Sequence, residues 1–270
     1  MRHETIIEAL ANKGYEVANR EITKNGVIFH GIEFNTGSNT RPVVYTDKII
    51  EEAEKNGFDY EWACDRVLSA FNSANVPVFN VSEFKSKEWV SERIAICLQR
   101  ESTQSIVKKP TDFAGIEQYL RVFITGDQSF IVKPEYLNEI GMSEEEAWVF
   151  AKKNTLANVK IQSVVEALCE SQEMPYSEEM DNAIPMIVVK SSRFSLGSAG
   201  VLFHEVLESV AKRLHVNKLF VIPSSIYECI VIANDGGMSI DDVTEMVGIV
   251  NCAEVSPEDQ LGDTAYEYDV

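Results

Sequence analysis

Leu219-Phe220-Val221-Ile222-Pro223-Ser224-Ser225-Ile226-Tyr227-Glu228-Cys229-Ile230-Val231-Ile232 is the most legible stretch of the chain. It predicts two strands, Leu219 to Ile222 and Ile226 to Ile232, because β-branched and aromatic residues suit a pleated, half-buried surface. Pro-Ser-Ser between them reads as a turn: Pro sets φ, and the hydroxyls bond nearby backbone. On the N-terminal side, Met186 to Val189 is another β-branched strand, Ser191 to Gly200 is a polar loop, and Val201 to Leu214 has the spacing of an amphipathic helix. On the C-terminal side, Ser239 with Asp242 caps a helix to about Cys252, and Glu254 to Val270 is a tail of six acids and no base.

The rest of the chain mixes the same two periods without an internal repeat. Residues 4 to 13 predict a short helix stopped by Gly14. Tyr15 to Thr23 and Val27 to Phe34 predict a hairpin around Lys24-Asn25-Gly26, since Asn-Gly tolerates positive φ at both central positions. Pro42 to Thr46 is a short strand, Asp47 caps a helix to Asn56 and Gly57, and Asp59 opens another that Pro77 breaks. In that helix Trp62, Val67, Leu68 and Phe71 fall near one face. Trp89 to Leu98 tends toward a strand, as do Tyr119 to Thr125, Ser129 to Val132 and Val159 to Ile161. Ser143 and Glu146 form a capping box for a helix to about Asn154, and Val164 to Leu168 is a shorter helix. The expected fold is α+β, with two closely packed α/β lobes and mixed or antiparallel sheets. The polar stretch 99–112 is the expected boundary, giving an N-terminal lobe over 1–100 and a C-terminal lobe over 113–270 that ends in the acidic segment.

The composition, 45% hydrophobic and 25% charged over 270 residues, is that of a globular chain. It holds 43 acids against 24 bases, a net of −19. Coating a duplex needs clustered Lys and Arg to displace phosphate counterions, so direct nucleic-acid binding is not expected. Residues 217–270 alone hold 11 acids and one Lys. No apolar run approaches the ~18–20 residues that span a bilayer, so no membrane is expected either. Cys64, Cys97, Cys169, Cys229 and Cys252 are scattered without a CxxC pair, which predicts reduced thiols in the cytoplasm.

Several stretches resemble domain of unknown function 5688, a family found mainly in Firmicutes. They are Ile22 to Val27 with Gly31; Tyr136-Leu137 and Gly141 to Glu146, then Ala151 and Asn154-Thr155; Ile222 to Glu228; and Met246-Val247, Val250-Asn251, Val255, Pro257-Glu258, Leu261, Asp263 and Tyr266 to Asp269. The C-terminal half also resembles a second uncharacterised family sharing the Pro-Ser-Ser element. The resemblance implies a shared fold and a bacterial setting rich in mobile elements, and no activity. It places His before Glu in the Pro-Ser-Ser segment, where this chain has Tyr227.

Four constellations carry possible chemistry. His204, Glu208 and His215 share a helical face, but His215 lies ~16 Å further along the axis than His204, so one ion cannot reach both imidazoles, and no metal is expected. Gly197, Ser198 and Gly200, between a strand and a helix, are weak candidates for holding an anion on backbone N–H groups. Ser224 and Ser225 with Glu228 are weak candidates for a hydroxyl nucleophile and its carboxylate. Glu258, Asp259, Asp263, Glu267 and Asp269, with Tyr266 and Tyr268 as aromatic anchors, are the candidate partner-binding strip. No cofactor is implied.

The leading expectation is a non-enzymatic, cytoplasmic protein-binding module whose acidic C-terminal surface meets a basic protein, with an inhibitor or nucleic-acid mimic as its mobile-element version. The alternative is a hydrolase or transferase using the Gly197–Gly200 loop and Ser224/Ser225. It requires those groups to converge on one concavity.

Overall fold

At Asn25 and Gly26 the backbone turns left-handed, with φ of 47° and 81°, in a computed structural model that describes residues 2–74 and 79–270. This is the conformation a two-residue hairpin demands. The fold is α+β, and the chain divides into two compact units, Met1–Val81 and Ser82–Val270.

In the first unit α1 (His3–Asn12) precedes β1 (Val17–Lys24), β2 (Val27–Phe34) and β3 (Val43–Tyr45), followed by α2 (Asp47–Asn56) and α3 (Tyr60–Ser73). The strands form an antiparallel sheet in the order β1-β2-β3. Ile32 and Phe34 point to its helix side and pack with Ile6, Leu10, Ala63, Cys64 and Val67. As expected, Asp59 caps α3 by accepting a bond from the Trp62 N–H. The helix ends at Ser73; Pro77 lies outside the described residues.

Asp47 departs from its expected part. It is the first residue of α2, and Thr46 holds the cap position. Its carboxylate instead accepts from the His30 main-chain N–H at 2.8 Å and lies 2.8 Å from the ring Nδ1. The hydrogen bond to Asp47 raises the His30 pKa; desolvation opposes it, and the charges of Asp47, Glu21 and Glu4 add to it. The charged imidazolium therefore favours the folded state. That contribution is complete below about pH 6.5 and is lost as pH rises through the raised folded value. By NMR titration, Asp47→Asn is expected to bring the His30 midpoint back toward about 6.5. A midpoint that does not move would remove Asp47 as the cause.

The second unit carries α4 (Lys87–Ser91), β4 (Ile94–Arg100), β5 (Lys108–Pro110), β6 (Ile116–Phe123), β7 (Ser129–Ile131), α5 (Pro134–Glu139), α6 (Glu144–Ala157), β8 (Val159–Ser163) and α7 (Val164–Ser171). It continues with β9 (Met186–Ser191), α8 (His204–Leu214), β10 (Lys218–Ile222), β11 (Glu228–Ala233), α9 (Ile240–Glu254) and β12 (Tyr266–Asp269). One antiparallel sheet has the order β4-β6-β5, with β7 also on β6; the other has the order β12-β10-β11-β9-β8. Both expected capping boxes form, at Ser143 with Glu146 and at Ser239 with Asp242.

Residues 99–112, polar enough to suggest a junction, run between strands of one sheet, and the division of the chain falls at 81/82. Their polarity serves a side-chain network: Gln99 Nε2 donates to Glu117 Oε1 at 2.7 Å, Ser102 Oγ at 2.9 Å, and Lys108 Nζ lies 2.9 Å from Oε2. Burial alone would raise the Glu117 pKa; the bonds from Gln99, Lys108 and Ser102 outweigh it and hold the carboxylate low.

Two further expectations change in the structure. The Val201–Leu214 helix begins instead as a 3-10 turn, Ser198–Leu202, and α8 proper starts at His204. The C-terminal segment ends in a strand, β12, paired antiparallel to β10 from Lys218↔Asp269 to Val221↔Tyr266. No helix among the described residues is long and apolar enough to cross a membrane.

Candidate functional site

Strand parity sorts the five-stranded sheet into two unlike faces. Leu219, Val221, Cys229, Val231, Ile187 and Val189 point one way, into the main core with Val206, Leu207 and Val210 of α8. Phe220, Ile222, Ile230, Ile232 and Met186 point the other way, and α9 lays Val243 and Val247 on them. This cover is incomplete. Beside α9 runs a trough of about 500 Å³, its lining including Met186, Ile222, Ile230, Ile232, Met246 and Val250. On the exposed side of α9, Met246, Ile249 and Val250 are 45%, 63% and 53% accessible.

The trough continues into a cleft of about 320 Å³, the two sharing Ser224, Ile230, Val250 and Asn251. The cleft adds Ser225, Tyr227, Glu228, Glu254, Ser256 and Asp259. Ser224, Ser225, Glu228 and Asp259, singled out separately in the sequence, are thus brought together. Their bonding is that of a turn. Ser225 Oγ accepts from the Tyr227 N–H at 3.1 Å, the Ser224 carbonyl from the Leu261 N–H at 2.9 Å, and the Asp259 carbonyl from the Ile226 N–H at 2.9 Å. Tyr227 Oη donates to Asp259 at 2.9 Å. Burial, then that bond, pushes the phenol up to about 12, so it keeps its proton at neutral pH. A serine nucleophile needs a base poised near neutrality, and the lining offers three carboxylates and no imidazole.

The Gly197–Gly200 loop does not join this cleft. Gly197, Ser198, Ala199 and Gly200 are all buried. A Cβ on Gly197 would stand 2.2 Å from Ser191 N, and one on Gly200 2.7 Å from Val189 Cγ1. Ser198 Oγ donates to the Ile226 carbonyl at 2.9 Å. The loop is a wedge that brings backbone against β9, and it turns inward where an anion site would have to face solvent.

The acidic segment is likewise tied to the fold. Register places Tyr266 and Tyr268 opposite Val221 and Leu219, on the core-facing side. Tyr266 packs on Phe113 at 4.9 Å between ring centroids and donates to the Ala114 carbonyl; Tyr268 Oη lies 2.6 Å from His204 Nδ1. Glu267 accepts from Asn234 at 2.9 Å, and Asp269 lies 3.2 Å from Lys218. Asp263 accepts from Asn251 at 2.8 Å. Glu258 is half-buried beside Asp259, and both add negative potential at Tyr227. Of the strip, only Asp259 lines the cleft.

His204 lies 4.0 Å from Glu208, while His215 closes α8 in the left-handed region at φ 55°. Among the described residues, no group of three or more His, Cys, Asp or Glu is placed to hold a metal ion.

Asn251 was not legible as a key residue. It is 2% exposed, and its Nδ2 donates to the Gly262 carbonyl at 3.0 Å and to Asp263 at 2.8 Å, while its own carbonyl accepts from Gln260 Nε2 at 2.9 Å. It clamps the C-terminal segment to α9. The available signal was one amide four residues beyond Val247 and eight beyond Val243, at the helical phase of both.

A family model described as a family of unknown function, DUF5688, matches residues 3–270. No curated protein and no solved structure matches significantly.

Proposed function

The chain belongs to the DUF5688 family, and we propose that it is a non-enzymatic binding module that takes a segment of a basic partner protein into the trough beside α9. The observation that carries this reading is the change of character along one continuous groove. Aliphatic and methionine side chains line one end, and Glu228, Glu254 and Asp259 gather at the other. A segment with apolar anchors next to Lys or Arg is its complement in shape and charge. Methionines at Met186, Met238 and Met246 suit an adaptable apolar seat. An inhibitor in which carboxylates stand in for phosphate, in a bacterial mobile-element setting, is the version in which the partner handles nucleic acid. Five free thiols support a reducing, cytoplasmic setting for this module.

A displayed random-peptide library tests the reading. Wild type is expected to enrich sequences that join Leu, Phe or Met to Lys or Arg. Ile230→Glu is expected to abolish that enrichment. Glu228→Gln with Glu254→Gln and Asp259→Asn is expected to weaken the selected peptides about tenfold or more at low salt, roughly 1.4 kcal/mol. Enrichment of acidic peptides, or the same enrichment by wild type and Ile230→Glu, would overturn it.

A further inference from the structure

A second cavity, of about 510 Å³, opens elsewhere in the Ser82–Val270 unit, where α6 crosses the edge of the sheet β4-β6-β5. Its lining includes Ile96, Trp148, Leu202 and Phe203, and the mouth carries Lys109, Lys152, Asp112 and Gln118. This is the size and apolar lining usual for a small-molecule site.

Two features of the lining go beyond packing. Register sets Lys109 opposite Gln118, and Gln118 opposite Leu98. Gln118 has the same strand parity as Ile116, Leu120 and Val122, so both polar residues occupy the side of the sheet that α6 covers and where the strand pattern is otherwise aliphatic. The Gln118 amide is spent on the Pro110 carbonyl at 3.1 Å, and the Thr111 hydroxyl on the Ile116 carbonyl at 2.7 Å.

The two ammonium groups are not spent in that way. Lys109 Nζ stands 4.5 Å from the centre of the Trp148 ring, and Lys152 Nζ 5.7 Å from that of Phe203. Among the described residues neither has a carboxylate at ion-pair distance. In a chain with 43 acids against 24 bases, two lysines held on aromatic faces at one cavity mouth, beside the single carboxylate of Asp112, make a local excess of positive charge. Aromatic faces orient each cation, and each keeps donors for a ligand.

We propose that this cavity binds a small phosphate-bearing ligand whose apolar body lies against Trp148, Leu202 and Phe203. The two ammonium groups outnumber the one carboxylate of the mouth, Asp112, and a phosphate dianion can engage both of them, whereas a monocarboxylate has the charge to engage one. Ammonium is a common phosphate binder in this role.

Phenyl phosphate is the probe, titrated into the ¹⁵N-labelled full chain while the indole N–H signals of its three Trp residues are followed. The Trp148 signal is expected to shift saturably and the Trp62 signal to stay in place. Lys109→Met with Lys152→Met keeps the aliphatic stems and removes both charges; it is expected to weaken binding about tenfold or more. Lys109→Arg with Lys152→Arg keeps both charges and is expected to retain binding, which separates loss of charge from loss of fold. Benzyl alcohol, without charge, is expected not to bind. A Trp148 signal that does not move, equal affinity in the methionine variant, or benzoate binding as tightly as phenyl phosphate would each overturn the proposal.

Discussion

Gly197→Ala is expected to unfold the Ser82–Val270 unit. The added Cβ meets main chain, Ser191 N at 2.2 Å and the Lys190 carbonyl carbon at 2.9 Å. A flexible side chain would yield, but β9 is held by ladders to β11 on one side and β8 on the other. Overpacking against side chains costs ~1–3 kcal/mol, and an obstacle of paired backbone puts this substitution at or above that upper limit. Measured against a total stability of ~5–15 kcal/mol, such a loss lowers the urea midpoint sharply or abolishes the folded unit. Gly248→Ala is the contrast, because its Cβ meets nothing within 4 Å on α9. It is expected to gain ~0.5–1 kcal/mol from helix propensity. If Gly197→Ala melted like wild type, the loop would not be a wedge, and an anion-binding role for its backbone would regain its basis.

Phe34→Ala is expected to cost ~3–5 kcal/mol, the range for removing a buried aromatic from a core. Phe34 is 2% exposed, stacks on Phe71 with centroids 4.1 Å apart and meets the edge of Tyr15 at 6.0 Å. It is the largest of the buried side chains in this core, whose other buried members are Ile6, Leu10, Ile32, Ala63, Cys64 and Val67. Little else in that unit compensates for its loss. Trp62 is the one tryptophan of Met1–Val81, so its signal in a urea titration reports this unit directly. A cost below about 1 kcal/mol, typical of a surface change, would show that the helices of this unit do not depend on the sheet face that Phe34 occupies.

The parts legible in the sequence were those whose physics is local. Asn25-Gly26 turns because both positions accept positive φ. Ser143 with Glu146 and Ser239 with Asp242 start helices because each hydroxyl and carboxylate reaches an N–H three residues away. Asp47 shows the limit of such rules. Its local chemistry suits a helix cap, and the structure turns it to His30, 17 residues distant.

By itself, the sequence determined the α+β composition, the hairpin, the capped helices and the approximate strands, because these follow from side-chain period and from bonds within a few residues. It also determined that acids would gather after Asn217. Which of those acids face an open groove was decided only by tertiary structure. Pairing of β12 with β10 turned Tyr266 and Tyr268 inward, and a slip of one residue would have turned them out. The position of α9 on the sheet left Ile230 and Met186 beside a trough and drew Glu228, Glu254 and Asp259 to its end. Register and helix placement join residues far apart in the chain, and no short-range rule of spacing or propensity contains that information.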